Sequence, residues 1–299
     1  MPSRITQTML NSQLLRNLNN NMDRMDKLQN QLSTGRKINK PSDDPVGISF
    51  SLRYRSELEA NDQYQKNVDA SVSYLDFTDS TLNQMGNVMQ RARELAVQGA
   101  NGTNTKESLN SIKTEIDQLY SQLTNLGNSQ FNGKYVFNGQ VTDQPPFPDP
   151  NNPENAVTNK DEIQFEIGAG VKMAINKTAE QIFGASGTQN NAFQILKSLS
   201  ASLGSQNQPG IQNSIALIDQ RMDGLLGVRA DVGAKMNRIQ LAESRIKDIG
   251  INITSLQSKT EDADMAEVIT KLKMDESVYQ ASLSAGSKLI QPTLLDFLH

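Results

Sequence analysis

Both ends of the chain carry apolar residues at heptad spacing, and this pattern constrains the fold more than any other feature of the sequence. Near the N-terminus the positions alternate three and four residues apart, through Leu15, Leu18, Met22, Met25, Gln29 and Leu32. Towards the C-terminus the same alternation runs through Leu225, Val228, Val232, Lys235, Ile239, Ala242, Ile246, Ile249, Ile253 and Leu256. A further run follows through Met265, Ile269, Leu272, Glu276, Tyr279, Leu283, Gly286 and Ile290. A repeat of about 3.5 residues keeps one narrow helix face towards a partner, so both ends are predicted to form coiled-coil helices. A buried helix pair inside one compact domain is the alternative.

The composition argues against nucleic-acid binding, membrane insertion and most enzyme chemistry. The 299 residues include 29 basic and 33 acidic side chains, with a net charge of -4, and the two signs are mixed along the chain. No basic field is therefore available for nucleic acid or anionic lipid. No run of about 18 apolar residues and no apolar signal-peptide core occurs. We expect neither a membrane span nor a cleaved signal peptide.

Catalytic and metal-binding residue types are almost absent. The chain has no cysteine, and its only histidine is the last residue, His299. This excludes disulfides, thiolate nucleophiles, cysteine-ligated zinc and the HExxH metal site. We therefore expect no enzymatic activity, no metal and no cofactor.

Local signals predict a long helical hairpin in the first half. Gly35 is typical of a helix end, while Asp43, Asp44 and Pro45 read as a helix start, because Asp44 can cap the free amides and proline fits the first helical position. The long helix that follows is predicted to end near Gly99 and Asn101-Gly102 in a left-handed turn. A second helix, capped by Thr105 and ended by Gly127, is expected to pack antiparallel to it.

The middle of the sequence changes to a β pattern. Tyr135-Val136-Phe137 reads as a strand ending in an Asn138-Gly139 hairpin turn, and residues 163–167 and 171–175 alternate around a glycine-containing turn. Five of the ten prolines lie between residues 145 and 153. We expect a small β-rich insertion at 135–190, a short helix over 193–203, and a long helix after Pro209-Gly210.

The predicted fold class is therefore mainly α: an elongated helical rod with a small β-rich inserted domain and coiled-coil-forming terminal arms. Five segments are predicted. They are an N-terminal assembly arm (1–45), the N-terminal part of the rod (46–134), the β-rich variable domain (135–190), the C-terminal part of the rod (191–244) and a C-terminal assembly arm (245–299).

Four segments resemble motifs of bacterial flagellins and their hook-associated relatives. They are Gln31–Gly47 (QLSTGRKINKPSDDPVG), Arg91–Thr103 (RARELAVQGANGT), Arg229–Ile239 (RADVGAKMNRI) and Thr260–Val268 (TEDADMAEV). The four segments occur in the same order as in flagellins and cover both terminal thirds. The chain is therefore identified as a member of the flagellin superfamily. The segments at 4–9, 41–45 and 134–139 are similar to the hook-filament junction branch rather than to filament flagellin.

The resemblance implies a flagellin-like structural adaptor between the hook and the filament. Its subunits would self-associate in a ring that contacts the first hook-associated protein on one side and flagellin on the other. Export would follow the flagellar type III route without a cleaved signal peptide, and a cytoplasmic export chaperone would hold the C-terminal segment 265–290. Filament flagellin is the near alternative. A secreted helical adhesin or effector, and an enzyme with a catalytic insertion, are distant ones.

The assembly interface is predicted on the heptad positions of both arms. Its residues are Leu15, Leu18, Met22, Met25, Leu32, Ile246, Ile249, Ile253, Leu256, Leu272, Leu283 and Ile290. The turn and helix-start motif comprises Gly35, Asp43, Asp44 and Pro45. Ordering roughly 90 terminal residues costs on the order of 100 kcal/mol, so we expect the arms to be largely disordered in the isolated subunit and to fold on assembly.

Overall fold

A computed structural model describes residues 7–289, with side chains from Met9 to Ser287. Helices dominate the described chain, as predicted. They are α1 (Gln7–Thr34), α2 (Pro45–Gly99), α3 (Lys106–Gly127), α4 (Ala179–Phe183), α5 (Ala192–Gly204), α6 (Gln208–Glu261) and α7 (Met265–Leu289). The strands are β1 (Gln130–Phe131), β2 (Lys134–Tyr135), β3 (Gln164–Glu166) and β4 (Lys172–Ala174), and a 3₁₀ turn spans Pro153–Asn155. Within residues 7–289, every helix is too short or too polar to cross a membrane.

The helix boundaries follow the local signals in the sequence, with two exceptions. Helix α6 begins at Gln208 and includes Pro209-Gly210, after which it was predicted to start, because proline is tolerated in the first turn of a helix. Helix α2 begins at Pro45, and Thr105 caps α3 by accepting a hydrogen bond from the Ser108 amide at 3.3 Å. The predicted left-handed exit from α2 is wrong, because neither Gly99 nor Gly102 has a positive φ. At Gly99 glycine serves close packing instead, since a Cβ there would lie 2.6 Å from the Leu203 side chain.

The contacts divide the described chain into two compact units, and the division falls within α2 and α6. Unit 1 contains the described residues up to Ala60 and from Ile249, and unit 2 contains Asn61–Asp248. The five predicted segments divide the chain by assembly role, and they stay a prediction.

Unit 2 has one continuous apolar core. Helices α2 and α3 run antiparallel, with the Arg91 Nη2 atom 2.7 Å from the Glu115 Oε1 atom. Four positions of the C-terminal heptad pattern are buried in this core: Leu225, Val232, Ile239 and Ile246. Residues 225–246 of α6 therefore form a buried helix inside a compact unit, which was the alternative to a coiled-coil arm.

The insertion contains two short antiparallel hairpins. The β3–β4 hairpin pairs Phe165 with Met173, as predicted. The first hairpin lies earlier than predicted, because its turn is Asn132-Gly133, with φ of 50° and 76°, and not Asn138-Gly139. The Val136 and Phe137 side chains are buried outside any strand. The Val136 N–H instead donates to the Ser129 carbonyl, and its carbonyl accepts the Tyr74 hydroxyl.

Aromatic packing joins the insertion to the helices of unit 2. The Phe147 ring centroid lies 5.2 Å from that of Phe183 and 4.8 Å from that of Phe193. Glu154 is buried and accepts hydrogen bonds from the Tyr120 hydroxyl at 2.8 Å and from the Lys197 ammonium. The insertion thus shares the core of α3 and α5.

Candidate assembly surface

The two terminal flagellin-like motifs meet in unit 1. The loop after α1 pairs with the loop between α6 and α7 through two main-chain hydrogen bonds. The Lys37 N–H donates to the Glu261 carbonyl at 2.6 Å, and the Ala263 N–H donates to the Gly35 carbonyl at 3.0 Å. We call this pair of loops, residues 35–44 and 261–264, the clasp. It ties the end of one arm helix to the start of the other.

A buried carboxylate stabilises the clasp. Both Glu261 oxygens accept hydrogen bonds from Arg55, at 2.9 and 2.7 Å, and Oε1 also accepts from the Ser51 hydroxyl. The Arg36 guanidinium lies 3.6 Å from Oε2. The hydrogen bonds from Arg55 outweigh the cost of burial and lower the pKa of Glu261 to about 2.

The predicted helix-start residues shape the same loop. Gly35 ends α1 with a φ of 71°, in the left-handed region that favours glycine. The Asp43 carboxylate closes the loop by accepting from the Lys40 amide at 2.9 Å and the Asn39 amide at 3.1 Å, and these bonds lower its pKa. Asp44 caps α2 by accepting from the amides of Val46 and Gly47 at 3.1 and 2.9 Å. Pro45 takes the first helical position.

Helices α1 and α7 pack against each other as an antiparallel pair. The Arg24 Nε atom lies 3.4 Å from the Asp275 Oδ2 atom, and a Cβ on Gly286 would lie 2.6 Å from the Leu14 side chain, which fixes the register. The inner positions are buried or half-buried and repeat by three and four. We call them the inner seam: Leu14, Leu18, Asn21, Met25, Leu28 and Leu32 on α1, and Val268, Leu272, Asp275, Tyr279, Ser282 and Gly286 on α7.

A second line of heptad positions lies one residue further along each helix. We call its four apolar members the outer stripe: Leu15 is 60 % exposed, Met22 53 %, Ile269 47 % and Leu283 47 %. By heptad geometry these positions flank the same side of an antiparallel pair. The opposite flank is more polar and carries Asn17, Arg24, Gln31 and Lys271 besides Leu10 and Val278. Among the described residues, the outer-stripe flank therefore exposes more large apolar side chains than the opposite flank does, although Gln29 and Glu276 lie on it too.

The predicted interface residues divide between these surfaces. Leu18, Met25, Leu32 and Leu272 lie on the inner seam, whereas Leu15, Met22 and Leu283 lie on the outer stripe. On α6, Ile249 and Leu256 are exposed, Ile253 is half-buried and Ile246 belongs to the core of unit 2. Ile290 and His299 lie outside the described residues. A role of these positions in assembly stays a prediction.

Exposed apolar side chains are concentrated in unit 1. Of the 20 large apolar side chains that are exposed within residues 9–287, 15 belong to unit 1 and five to unit 2. No group of three His, Asp or Glu side chains among the described residues is arranged to hold a metal ion. Unit 1 therefore exposes more large apolar side chains than unit 2 does.

Sequence reasoning missed two features of this surface. Glu261 and Arg55 are 206 residues apart, and no periodic signal connects them. The inner seam was found only in part, through Leu18, Met25, Leu32 and Leu272, because Asn21, Asp275 and Ser282 stand at positions where a hydrophobic pattern expects apolar residues. The three-and-four spacing of residues 14–32 and 268–286 was the available signal.

These features define a helical assembly subunit of the flagellin type. Two family models match the chain: the bacterial flagellin N-terminal helical region at residues 5–142 and the C-terminal helical region at residues 215–298. The chain belongs to the bacterial flagellin family. This family consists of structural proteins of the flagellum.

Particular members of the family resemble the chain over most of its length. It is 27 % identical to flagellar hook-associated protein 3 of Escherichia coli, over 94 % of this chain and 95 % of that protein. It is 29 % identical to the flagellar filament 30.7 kDa core protein of Treponema maltophilum, over 85 % of this chain and 84 % of that protein. A solved Vibrio parahaemolyticus structure, assigned as a flagellar hook-associated protein, has the same fold, with a TM-score of 0.67 and 24 % identity. The matched region covers 74 % of this chain and 100 % of the chain in that structure.

Proposed function

We propose that this chain is the structural adaptor that joins the flagellar hook to the flagellin filament, and that it has no enzymatic activity. The proposal is supported by the near-full-length similarity to hook-associated protein 3. It also rests on the outer stripe, whose four apolar side chains are about half exposed on the arm pair. Filament flagellin is the second candidate, because a filament core protein is equally similar in sequence.

In this mechanism the outer stripe packs against a neighbouring subunit, and the subunits self-associate in a ring. Fully burying one Leu, Ile or Met side chain contributes about 1.5 to 3 kcal/mol. The four outer-stripe side chains are about half exposed, so covering what remains contributes about 4 kcal/mol per subunit. Repeated around a ring, this contribution offsets part of the cost of association and of ordering the arms.

Burial of apolar side chains between subunits also makes the arms fold on assembly. Polar residues interrupt the inner seam at Asn21, Asp275 and Ser282, so the α1–α7 pair is weaker than a fully apolar coiled coil. Neighbouring subunits supply the missing apolar contacts, and the isolated arms stay largely disordered until then. Disorder before assembly also suits export through a narrow channel.

The partners follow from the position in the flagellum. The ring contacts the first hook-associated protein on one side and flagellin on the other, outside the cell and after export without a cleaved signal peptide. Before export, a cytoplasmic chaperone holds segment 265–290, whose described part exposes Met265, Met274 and Val278 besides two outer-stripe residues. Removing residues 265–299 should abolish co-purification with the chaperone, and unchanged co-purification would place the chaperone elsewhere.

A deletion strain tests the adaptor function. Electron microscopy should find hooks without filaments, and flagellin should accumulate in the medium, with both defects reversed by the wild-type gene. If the chain is a filament flagellin, its loss should shorten or remove filaments without releasing another flagellin. Its abundance in sheared filaments would then be high, whereas an adaptor is present only at the junction.

A further inference from the structure

The turn between α2 and α3 contains one of three Asn-Gly pairs, the others being Asn132-Gly133 and Asn138-Gly139. Asn-Gly is the dipeptide in which the glycine amide can most easily attack the preceding side chain, because glycine adds no steric hindrance. The three pairs share this chemistry, but the structure gives them different surroundings. These surroundings decide which pair can react.

At Asn101 the side-chain oxygen accepts two hydrogen bonds from one residue. The Thr103 hydroxyl donates at 3.0 Å and the Thr103 N–H at 3.3 Å. Because a backbone N–H can only donate, the accepting atom must be the amide oxygen and not the nitrogen. Two donors on this oxygen stabilise the negative charge that develops there when a nucleophile attacks Cγ, as in an oxyanion hole.

The reacting nitrogens at this turn are accessible: the Gly102 nitrogen is the nucleophile, and the Asn101 Nδ2 amino group is the leaving group. The Gly102 N–H and the Asn101 Nδ2 group make no hydrogen bond within the described residues, and both residues are exposed. We propose that Asn101-Gly102-Thr103 is a self-deamidation site, in which Thr103 activates the Asn101 amide towards attack by the Gly102 nitrogen.

The reaction consumes only water. The Gly102 nitrogen loses its proton to solvent base and forms a bond to Asn101 Cγ, and the Cγ–Nδ2 bond breaks as Nδ2 takes a proton and leaves as ammonia. Water then opens the resulting succinimide at either carbonyl, giving aspartate or isoaspartate at position 101. The product carries a new negative charge between α2 and α3.

The other two pairs lack this arrangement. The Asn132 side chain is exposed but makes no hydrogen bond within the described residues, and its turn is held between the paired strands β1 and β2. Asn138 is 7 % exposed, and both ends of its amide are engaged: Nδ2 donates to the Gln144 carbonyl at 3.1 Å, and Oδ1 accepts from the Asn159 N–H at 3.0 Å. These pairs are matched controls within the same molecule.

Peptide mass spectrometry of the full chain, aged in mildly alkaline buffer, tests the proposal. Tryptic cleavage after Arg93, Lys106, Lys113, Lys134 and Lys160 places the three pairs in separate peptides. Asn101 should convert fastest, Asn132 more slowly and Asn138 least, with isoaspartate detected at position 101 by enzymatic methylation.

Thr103 variants separate the proposed activation from simple exposure. Thr103→Val removes the hydroxyl donor and should slow Asn101 conversion about two- to tenfold, the worth of one hydrogen bond, while Asn132 keeps its rate. Thr103→Ser keeps the donor and should restore the wild-type rate. Conversion of Asn101 no faster than that of Asn132, or an unchanged Asn101 rate in Thr103→Val, would overturn the proposal.

Discussion

Replacing Phe147 by alanine tests whether the insertion is an integral part of unit 2. Phe147 is 4 % exposed, contacts two other phenylalanine rings and lies so close to Gly127 that a Cβ there would be 2.6 Å from its ring. Its main chain is also bonded to Asn128, which accepts the Phe147 N–H at 3.0 Å and donates to its carbonyl at 2.9 Å. The side chain thus fills a gap between the insertion and α3.

Truncating a buried phenylalanine to alanine typically costs about 3 to 5 kcal/mol. With a urea dependence of about 2 kcal/mol per molar for a unit of this size, the unfolding midpoint should fall by about 2 M. Far-UV circular dichroism of the full chain measures this directly, because helices dominate the signal. Phe50→Ala is the control: Phe50 is 46 % exposed in unit 1, so its truncation should move the midpoint little.

The outcome separates two architectures. If the insertion shares the core, the helical transition as a whole shifts to lower urea. If the insertion is instead an independent domain, Phe147→Ala leaves the helical midpoint unchanged and affects only a small local signal. That result would show that the aromatic cluster around Phe147 does not join the insertion to the helical core of unit 2.

Three further predictions concern the caps, the clasp and the arms. Thr105→Ala should lower the free energy of unfolding of unit 2 by about 0.5 to 1 kcal/mol through loss of the α3 cap, whereas Thr105→Ser should keep most of that stability. Equal melting temperatures for the wild type and both variants would show that the Thr105 cap does not stabilise α3. Glu261→Gln should weaken the clasp in assembled flagella by about 1 to 2 kcal/mol, a value reduced for screening because the Arg55 side chain is 37 % exposed. Because the folded pKa of Glu261 is about 2, below its ordinary value of 4.5, its contribution is complete above about pH 4.5 and is lost as the pH falls towards 2. Acid release of subunits from purified junctions should therefore begin at higher pH in Glu261→Gln than in the wild type, while the exposed control Glu267→Gln should behave as wild type. Identical release curves for Glu261→Gln and the wild type would show that the Glu261 carboxylate does not stabilise the clasp. Limited proteolysis of the isolated subunit should trim both ends to a core near residues 50–250, and full protection of the ends would rule out folding on assembly.

Local chemistry explains which elements the sequence could predict. The start of α2 follows from Asp44 and Pro45, and the β3–β4 hairpin follows from alternation around a glycine turn, because both signals lie within a few residues. The first hairpin was misplaced because the sequence offers two Asn-Gly turns six residues apart, and the burial of Val136 and Phe137 accompanies the earlier one.

The candidate site was only partly predictable for a different reason. Hydrophobicity led to Leu15 and Met22, one residue away from the inner-seam positions Leu14 and Asn21. The inner seam is interrupted by Asn21, Asp275 and Ser282 and lies beside the apolar outer stripe, so a hydrophobic pattern alone merges the two lines. The clasp depends on residues distant in sequence, so Glu261 and Arg55 could be paired only in three dimensions.

We propose that the outer stripe holds neighbouring subunits together. The most direct measurement is filament attachment in a deletion strain that produces the double variant Leu15→Gln and Leu283→Gln, with Val157→Gln, a 94 % exposed position in the insertion, as the matched control. Electron microscopy and flagellin in the medium give the readout, with export of each variant verified by its presence outside the cell. We expect bare hooks and released flagellin for the double variant, and normal filaments for the control. Normal filaments on cells that carry the double variant would show that the outer stripe does not hold the subunits together.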